Sequence, residues 1–379
     1  MKKLFILGLL IKILLIFTAF HSDLIYTYEI PSHFFKNLNQ LGTYYGPLSY
    51  ITFALLSPLY FLSAHVGFWI LKIPYLLVDI SVLYVLLKIS KNVIHKKILI
   101  FWWLNPIVIF STYALGQLEI ILCLCVVLSI YSAFRNKILS MVFLGVGVAY
   151  KSMTLPLLIP SALILEKSPK KRILIMLAGL LIPIFLAALF WFPTRSGITN
   201  NYFPTGIIFF PKPELSFSTI WEYLAFGIGV VGFIATQILL FKYKKNTADF
   251  INMLFASLGF IIVALPIYSI HRYMVLMPLL ILFSLNNKKE KFLALILVTL
   301  TLGYIYVWRL QWGLFVHIYP QATNLPALRE FVSPIINYEN AAFLFKVTAD
   351  SLILYLAAAS LSLTFKKLPI PRNIREKLS

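Results

Sequence analysis

Acidic residues are scarce in this chain. Asp and Glu number 13 among 379 residues, against 33 Lys and Arg. Charged residues of both signs make up only 12% of the sequence, where a soluble domain carries about 25%. That deficit excludes a large water-facing surface. Cysteine is as rare. Cys123 and Cys125 lie in one apolar run, at a spacing that points them to different sides of a helix. They make no disulfide framework, and packing is their expected role. His33, His65, His95 and His317 show no metal-ligand spacing, and there is no HExxH, no P-loop and no Gly-rich dinucleotide fingerprint. The chain therefore shows no recognisable direct use of a nucleotide.

What is present is apolar length. The chain is 60% hydrophobic with a mean hydropathy of +0.89. Apolar runs of about 20 residues recur along it, each long enough to cross a bilayer. They are continuous rather than alternating, which argues for helices over a β-barrel. The net charge of +20 does not point to nucleic acid. Lys and Arg collect in the short segments 88–97, 135–137, 167–172, 242–245 and 288–291 and in the tail, as the positive-inside rule requires.

These features predict an all-α polytopic membrane protein with about 12 transmembrane helices and both termini in the cytoplasm. The opening MKKLFILGLLIKILLIFTAF resembles a secretory signal peptide, but Lys12 interrupts it and no small-x-small site follows, so a retained first span is expected. The stretch 44–65 is broken by Pro47 and Pro58. If the basic loop 88–97 is inside, that stretch does not cross; it reads as a re-entrant or interfacial segment of the first outer loop. The expected organisation is one domain, 1–379. Its motif-bearing half is 1–165, with the outer loop 21–65. Its variable half is 166–379, with outer loops 193–218 and 309–342.

The acids are unevenly placed. Asp23, Glu29, Glu119, Glu214, Glu222, Glu330 and Glu339 all fall on the expected outer face. Function is therefore sought there. Four polar groups need explaining. FHSDLIYTYE, residues 20–29, opens straight from a span onto Asp23, with Glu29 six residues on. It reads either as a plain loop or as a carboxylate held at the membrane surface. Lys151 interrupts two short apolar runs, although a lysine near the bilayer centre costs roughly 2.5–3.5 kcal/mol. It is either a snorkelling hairpin tip or an ammonium placed to meet a lipid phosphate. Gly116, Gln117 and Glu119 make a polar turn, either a helix start with a dipole-matched acid or the lining of a pocket. His271, Arg272 and Tyr273 stand together at the end of a span, either as an interfacial belt or as phosphate ligands. Asp79 is expected to be buried and structurally paired, with Lys72 or with another span. Asp350 is ambiguous in the same way.

Four stretches in order give these groups a common setting. They are the acidic loop Asp23 to Glu29; Tyr45-Gly46-Pro47-Leu48; Trp103-Leu104-Asn105-Pro106 leading into Gly116-Gln117-Leu118-Glu119; and Tyr150-Lys151 running to Pro156 and Pro160. In this the chain resembles the GT-C superfamily of integral-membrane glycosyltransferases. The resemblance is nearest to polyprenyl-phosphate-mannose-dependent mannosyltransferases, including the catalytic subunit of glycosylphosphatidylinositol mannosyltransferase I and bacterial relatives. It is strongest over 21–165, with a weaker match at His271-Arg272-Tyr273.

The resemblance implies an inverting transfer of a hexose from a polyprenyl-phosphate donor to a lipid-linked or glycan acceptor. It places the reaction on the outer face of a membrane, and the short loops favour a prokaryotic plasma membrane. Asp23 is the implied base. Glu29, Tyr45, Gln117 and Glu119 would shape the substrate pocket. Lys151, Arg195, His271, Arg272 and Tyr273 would hold phosphate and sugar. Several relatives carry Asp-x-Asp in the first outer loop, whereas this chain has the single Asp23, so a divalent metal is possible but not indicated. A multi-span lipid or solute transporter is the main competing reading, and a non-catalytic subunit of a membrane transferase is the second. A transporter should gather polar groups at the midplane between repeats, and no internal repeat is visible.

Overall fold

The computed structural model describes residues 1–19, 21–33, 46–194, 217–242, 247–265, 270–307 and 338–365. Among these residues the regular elements are helices. The first half comprises α1 (Lys2–Thr18), α2 (Ser22–Ser32), α3 (Pro47–Leu55), α4 (Ser57–Val66), α5 (Ile73–Ile89), α6 (His95–Ile98), α7 (Pro106–Ile109), α8 (Glu119–Ser132), α9 (Lys137–Tyr150), α10 (Leu158–Leu165) and α11 (Pro169–Thr194). The second half holds α12 (Phe217–Lys242), α13 (Thr247–Ala264), α14 (Ile270–Asn286), α15 (Glu290–Val307) and α16 (Tyr338–Phe365).

Proline and π turns set where the apolar runs break. Pro47 and Pro58 each open a helix within its first turn, and α3 meets α4 at a bend of 51°. This matches the interruption expected in 44–65. Segments 92–103 and 106–114 meet at 45°, with π turns at Leu99–Trp103 and Phe110–Ala114. Asn105 joins them. Its carboxamide oxygen accepts from the Ile107 amide at 2.9 Å, and its nitrogen donates to the Phe101 carbonyl at 2.9 Å, so the broken backbone keeps its hydrogen bonds without water.

Four helices among the described residues, Phe68–Ile89, Pro169–Leu189, Ile220–Phe241 and Phe343–Thr364, are long and apolar enough to cross a membrane. The count becomes six if each bent pair is one span. This is a polytopic pattern, but it falls short of the twelve expected. The reason is helix length. α8 and α9 have 14 residues each, about 21 Å, against a hydrocarbon core of about 30 Å. The apolar faces agree with a lipid setting: α1, α11 and α12 carry rows of exposed Ile, Leu, Val and Phe, among them Leu10, Leu14, Leu181, Phe185 and Val231.

Antiparallel hairpins give the bundle two ends. α8 and α9 pack together, with the Ser129 and Ser140 hydroxyls 2.9 Å apart near their turn. Thr154 folds back onto α9 and donates to the Leu144 carbonyl at 3.2 Å. α14 runs beside α8, tied by the Cys123 thiol donating to the Met274 carbonyl at 3.2 Å. One end therefore gathers Asp23, the 116–119 turn, Lys151 and the start of α14. The other gathers the basic turns, joined by Lys97–Glu290 and Lys137–Glu166 ion pairs, each at 2.6 Å. The core between them is built on large fully buried rings, including Trp102, Trp103, Tyr28, Tyr75, Tyr113, Phe255 and Phe283.

Candidate functional site

Asp23 lies in the first turn of α2, where a carboxylate meets the positive end of the peptide dipoles. His21 caps that helix. Its Nδ1 accepts from the Asp23 amide at 3.1 Å, and its carbonyl accepts from the Leu24 amide at 3.1 Å. Accepting at Nδ1 requires that nitrogen to be unprotonated. Burial pushes the His21 imidazole below the ordinary histidine range, against the opposing pull of the Asp23 carboxylate. The Asp23 side chain itself is 36% exposed. One oxygen, Oδ2, receives the Gln117 amide nitrogen at 2.6 Å, and the other, Oδ1, lies 3.5 Å from His21 Nδ1.

The 116–119 turn reaches Asp23 because of one glycine. Gly116 has φ +68°, in the left-handed region that other residues rarely adopt. A Cβ there would sit 2.7 Å from Leu24 Cδ1 and 2.8 Å from Leu24 Cβ. Glycine thus lets α2 and the turn touch, and the touch places Gln117 against Asp23.

Two residues beyond Gln117, Glu119 begins α8 and is fully buried. It forms an ion pair with Lys151. Lys151 stands where α9 stops, in an extended conformation at the hairpin tip, 19% exposed. The sequence reading gave Glu119 to a sugar pocket and Lys151 to a phosphate; the structure joins them. Arg272, at the start of α14, lies within electrostatic reach of Glu119. α3 seals this end of α9: the Gly46 amide donates to the Tyr150 carbonyl at 2.8 Å, and Thr52 Oγ1 lies 2.6 Å from the Tyr150 hydroxyl.

The remaining expectations divide. Glu29 lies within electrostatic reach of Tyr60 on α4. The Tyr273 hydroxyl donates to Asp350 Oδ1 at 2.6 Å, and Lys346 pairs with the other oxygen at 2.6 Å. The spacing of four between Lys346 and Asp350 was a readable helical ion-pair signal. Tyr45 and Arg195 lie outside the described residues, as does the side chain of His271. Asp79 is buried and paired as expected; of the two expected sources the partner comes from another helix, Lys12 on α1 at 2.6 Å, and Lys72 does other work. Among the described residues no three His, Cys, Asp or Glu side chains converge as a metal-binding group.

The comparison with known families bears on this end of the bundle. Residues 43–212 match the model of glycosyltransferase family 87. This is a GT-C-type membrane glycosyltransferase family, and the match supports a glycosyltransferase activity. The segment matched to glycosyltransferase family 87 runs from before α3 to beyond α11 and contains Gln117, Glu119 and Lys151. Asp23 precedes it and reaches it through Gln117. No curated protein and no solved structure matches the chain. Together with the apolar helices, the match supports an integral membrane protein.

Proposed function

We propose that the chain transfers a hexose, with mannose the first candidate, from a polyprenyl-phosphate donor to a hydroxyl of a lipid-linked or glycan acceptor. The observation that carries this reading is the accessible Asp23 carboxylate held by Gln117, at the same end of the bundle as the Glu119–Lys151 pair. The donor's chain lies in the bilayer and its charged headgroup at the surface, which suits a site at one end of a helical bundle. Orientation follows from the basic turns: they mark the cytoplasmic end, and the site faces the outer side.

The reaction is a single displacement. Asp23 takes the proton of the acceptor hydroxyl as its oxygen attacks C1 of the sugar. The C1–O bond to phosphate breaks, and polyprenyl phosphate leaves with the electron pair. The new glycosidic bond forms on the opposite face, so the anomeric configuration inverts. Negative charge grows on the departing phosphate. Lys151 and Arg272 supply the positive field at that point, with Glu119 holding Lys151 in place. Gln117 fixes the Asp23 oxygen it touches and leaves the rest of the carboxylate to the acceptor.

The test incubates purified protein with a panel of radiolabelled polyprenyl-phosphate hexoses and a membrane lipid extract. Wild type is expected to transfer from one donor, and Asp23→Asn to lose that transfer. Full transfer by Asp23→Asn would move the base elsewhere. No transfer from any donor, with folded protein, would favour the transporter.

A further inference from the structure

A second polar cluster lies deep in the bundle, beneath the site. Lys12, Asp79, Trp102, Trp103 and Tyr113 are fully buried. Lys12 Nζ pairs with Asp79 Oδ2 at 2.6 Å and sits 3.3 Å from the centre of the Trp103 ring. Trp102 Nε1 donates to Asp79 Oδ1 at 3.0 Å, and the Tyr113 hydroxyl donates to Oδ2 at 2.7 Å. A buried acid with three such donors is well satisfied, yet apolar residues would fill the same space at lower cost. The cluster is therefore an expensive way merely to hold helices together.

Its connections suggest what it is for. Lys12 belongs to α1, which leads into His21 and Asp23. Tyr113 belongs to the π turn that leads into Gly116 and Gln117. Asp79 thus holds both arms of the Asp23–Gln117 contact on one carboxylate. Lys72 adds a second restraint. It is fully buried, and its ammonium donates to the Leu15 carbonyl at 3.0 Å, to the Ile16 carbonyl at 3.5 Å and to the Ala19 carbonyl. Its three protons meet three carbonyls at the end of α1, where the helix runs out of amide donors; the Leu15 carbonyl also accepts from the Ala19 amide at 3.0 Å. Ala19 is two residues before the His21 cap, so Lys72 fixes where the chain leaves α1.

We propose that Asp79 and Lys72 are positioning residues for the Asp23 carboxylate. Lys12 and Tyr113 are the links by which Asp79 sets both arms. The inference rests on Asp23 being the base. It places part of the site's geometry in residues that touch neither donor nor acceptor.

The experiment measures kcat and KM per folded molecule with radiolabelled polyprenyl-phosphate mannose, or whichever donor the panel selects. It compares Lys72→Met, Tyr113→Phe and the charge-neutral pair Lys12→Met with Asp79→Asn. Hydrogen exchange is followed in the peptides carrying His21–Leu24 and Leu115–Leu118. Misplacing a catalytic group by about 1 Å can cost about 100-fold, so kcat should fall roughly 10- to 100-fold while the donor KM stays within about twofold. Both peptides should exchange faster. A lower melting temperature with kcat and exchange unchanged would overturn the proposal and leave a simple structural lock. If Lys72→Met does not fold, Tyr113→Phe decides, since it removes one oxygen. Asp23→Asn separates the two readings. If it stays active, the base assignment fails and the positioning role fails with it. If it is inactive while Tyr113→Phe keeps wild-type kcat and exchange, only the positioning role fails.

Discussion

At the scale of single residues, the site turns on a few short contacts. The Gln117 amide gives one hydrogen bond to a carboxylate, worth about 1.5–3 kcal/mol. Gln117→Leu removes it while keeping the volume, so kcat is expected to drop about 10- to 100-fold in the transfer assay. Unchanged kcat would mean that Asp23 is oriented by other groups. His21 gives a pH prediction. Its folded-state pKa lies below the unfolded value of about 6.5, so the unfolded chain takes up a proton first as pH falls. Its contribution to stability is complete above that range and declines as pH drops through it, until the folded imidazole also protonates. Melting temperature should therefore fall between about pH 7 and 5. His21→Asn keeps the cap without titrating and should flatten that slope; an identical slope would assign it to other groups.

At the scale of elements, helices meet where small residues let backbones approach. A Cβ on Gly145 of α9 would lie 1.7 Å from the Gly179 carbonyl oxygen of α11, and a Cβ on Gly179 would lie 2.9 Å from the Met141 carbonyl. This is the close packing that small residues allow between membrane helices. Gly145→Ala cannot be absorbed by rotating a side chain, because the obstacle is backbone. The helices must separate, and α9 carries Lys151 at its tip. We expect a loss of about 1–3 kcal/mol, read as a lower melting temperature in detergent. A wild-type melting curve would show that α9 and α11 separate without cost.

At the scale of the whole molecule, the bundle has a chemically varied end and a basic end. Orientation is testable with single cysteines, because Cys123 and Cys125 are buried and should stay silent to a membrane-impermeant thiol reagent. His33→Cys, near the site end, should label in intact cells. Val93→Cys, 89% exposed in the basic turn, should label only after permeabilisation. The reverse pattern would turn the enzyme over and put its chemistry in the cytoplasm.

Much of this architecture was legible in the chain. Helix positions follow from local apolar length, and the break in 44–65 follows from Pro47 and Pro58, because proline acts on its own turn; the 45° bend at Asn105-Pro106 falls inside what reads from the sequence as one span. The buried Asp79 and the tip position of Lys151 were equally readable, since isolated charges in apolar runs are costly wherever they lie. What the sequence left open was partnership. Lys12 and Asp79 are 67 residues apart, and Gln117 and Asp23 are 94 apart. A buried carboxylate needs a cation, and on paper either Lys72 or a group on another span could meet that need. Only the packing of α1 against the Leu99–Trp103, Phe110–Ala114 and Phe68–Lys72 turns brought Lys12 to Asp79 and left Lys72 to cap α1. The same holds at the site, where the positive φ of Gly116 and its contact with Leu24 decide that Gln117 reaches Asp23. The residue types were fixed by composition and spacing, whereas the pairings depend on which helix faces which.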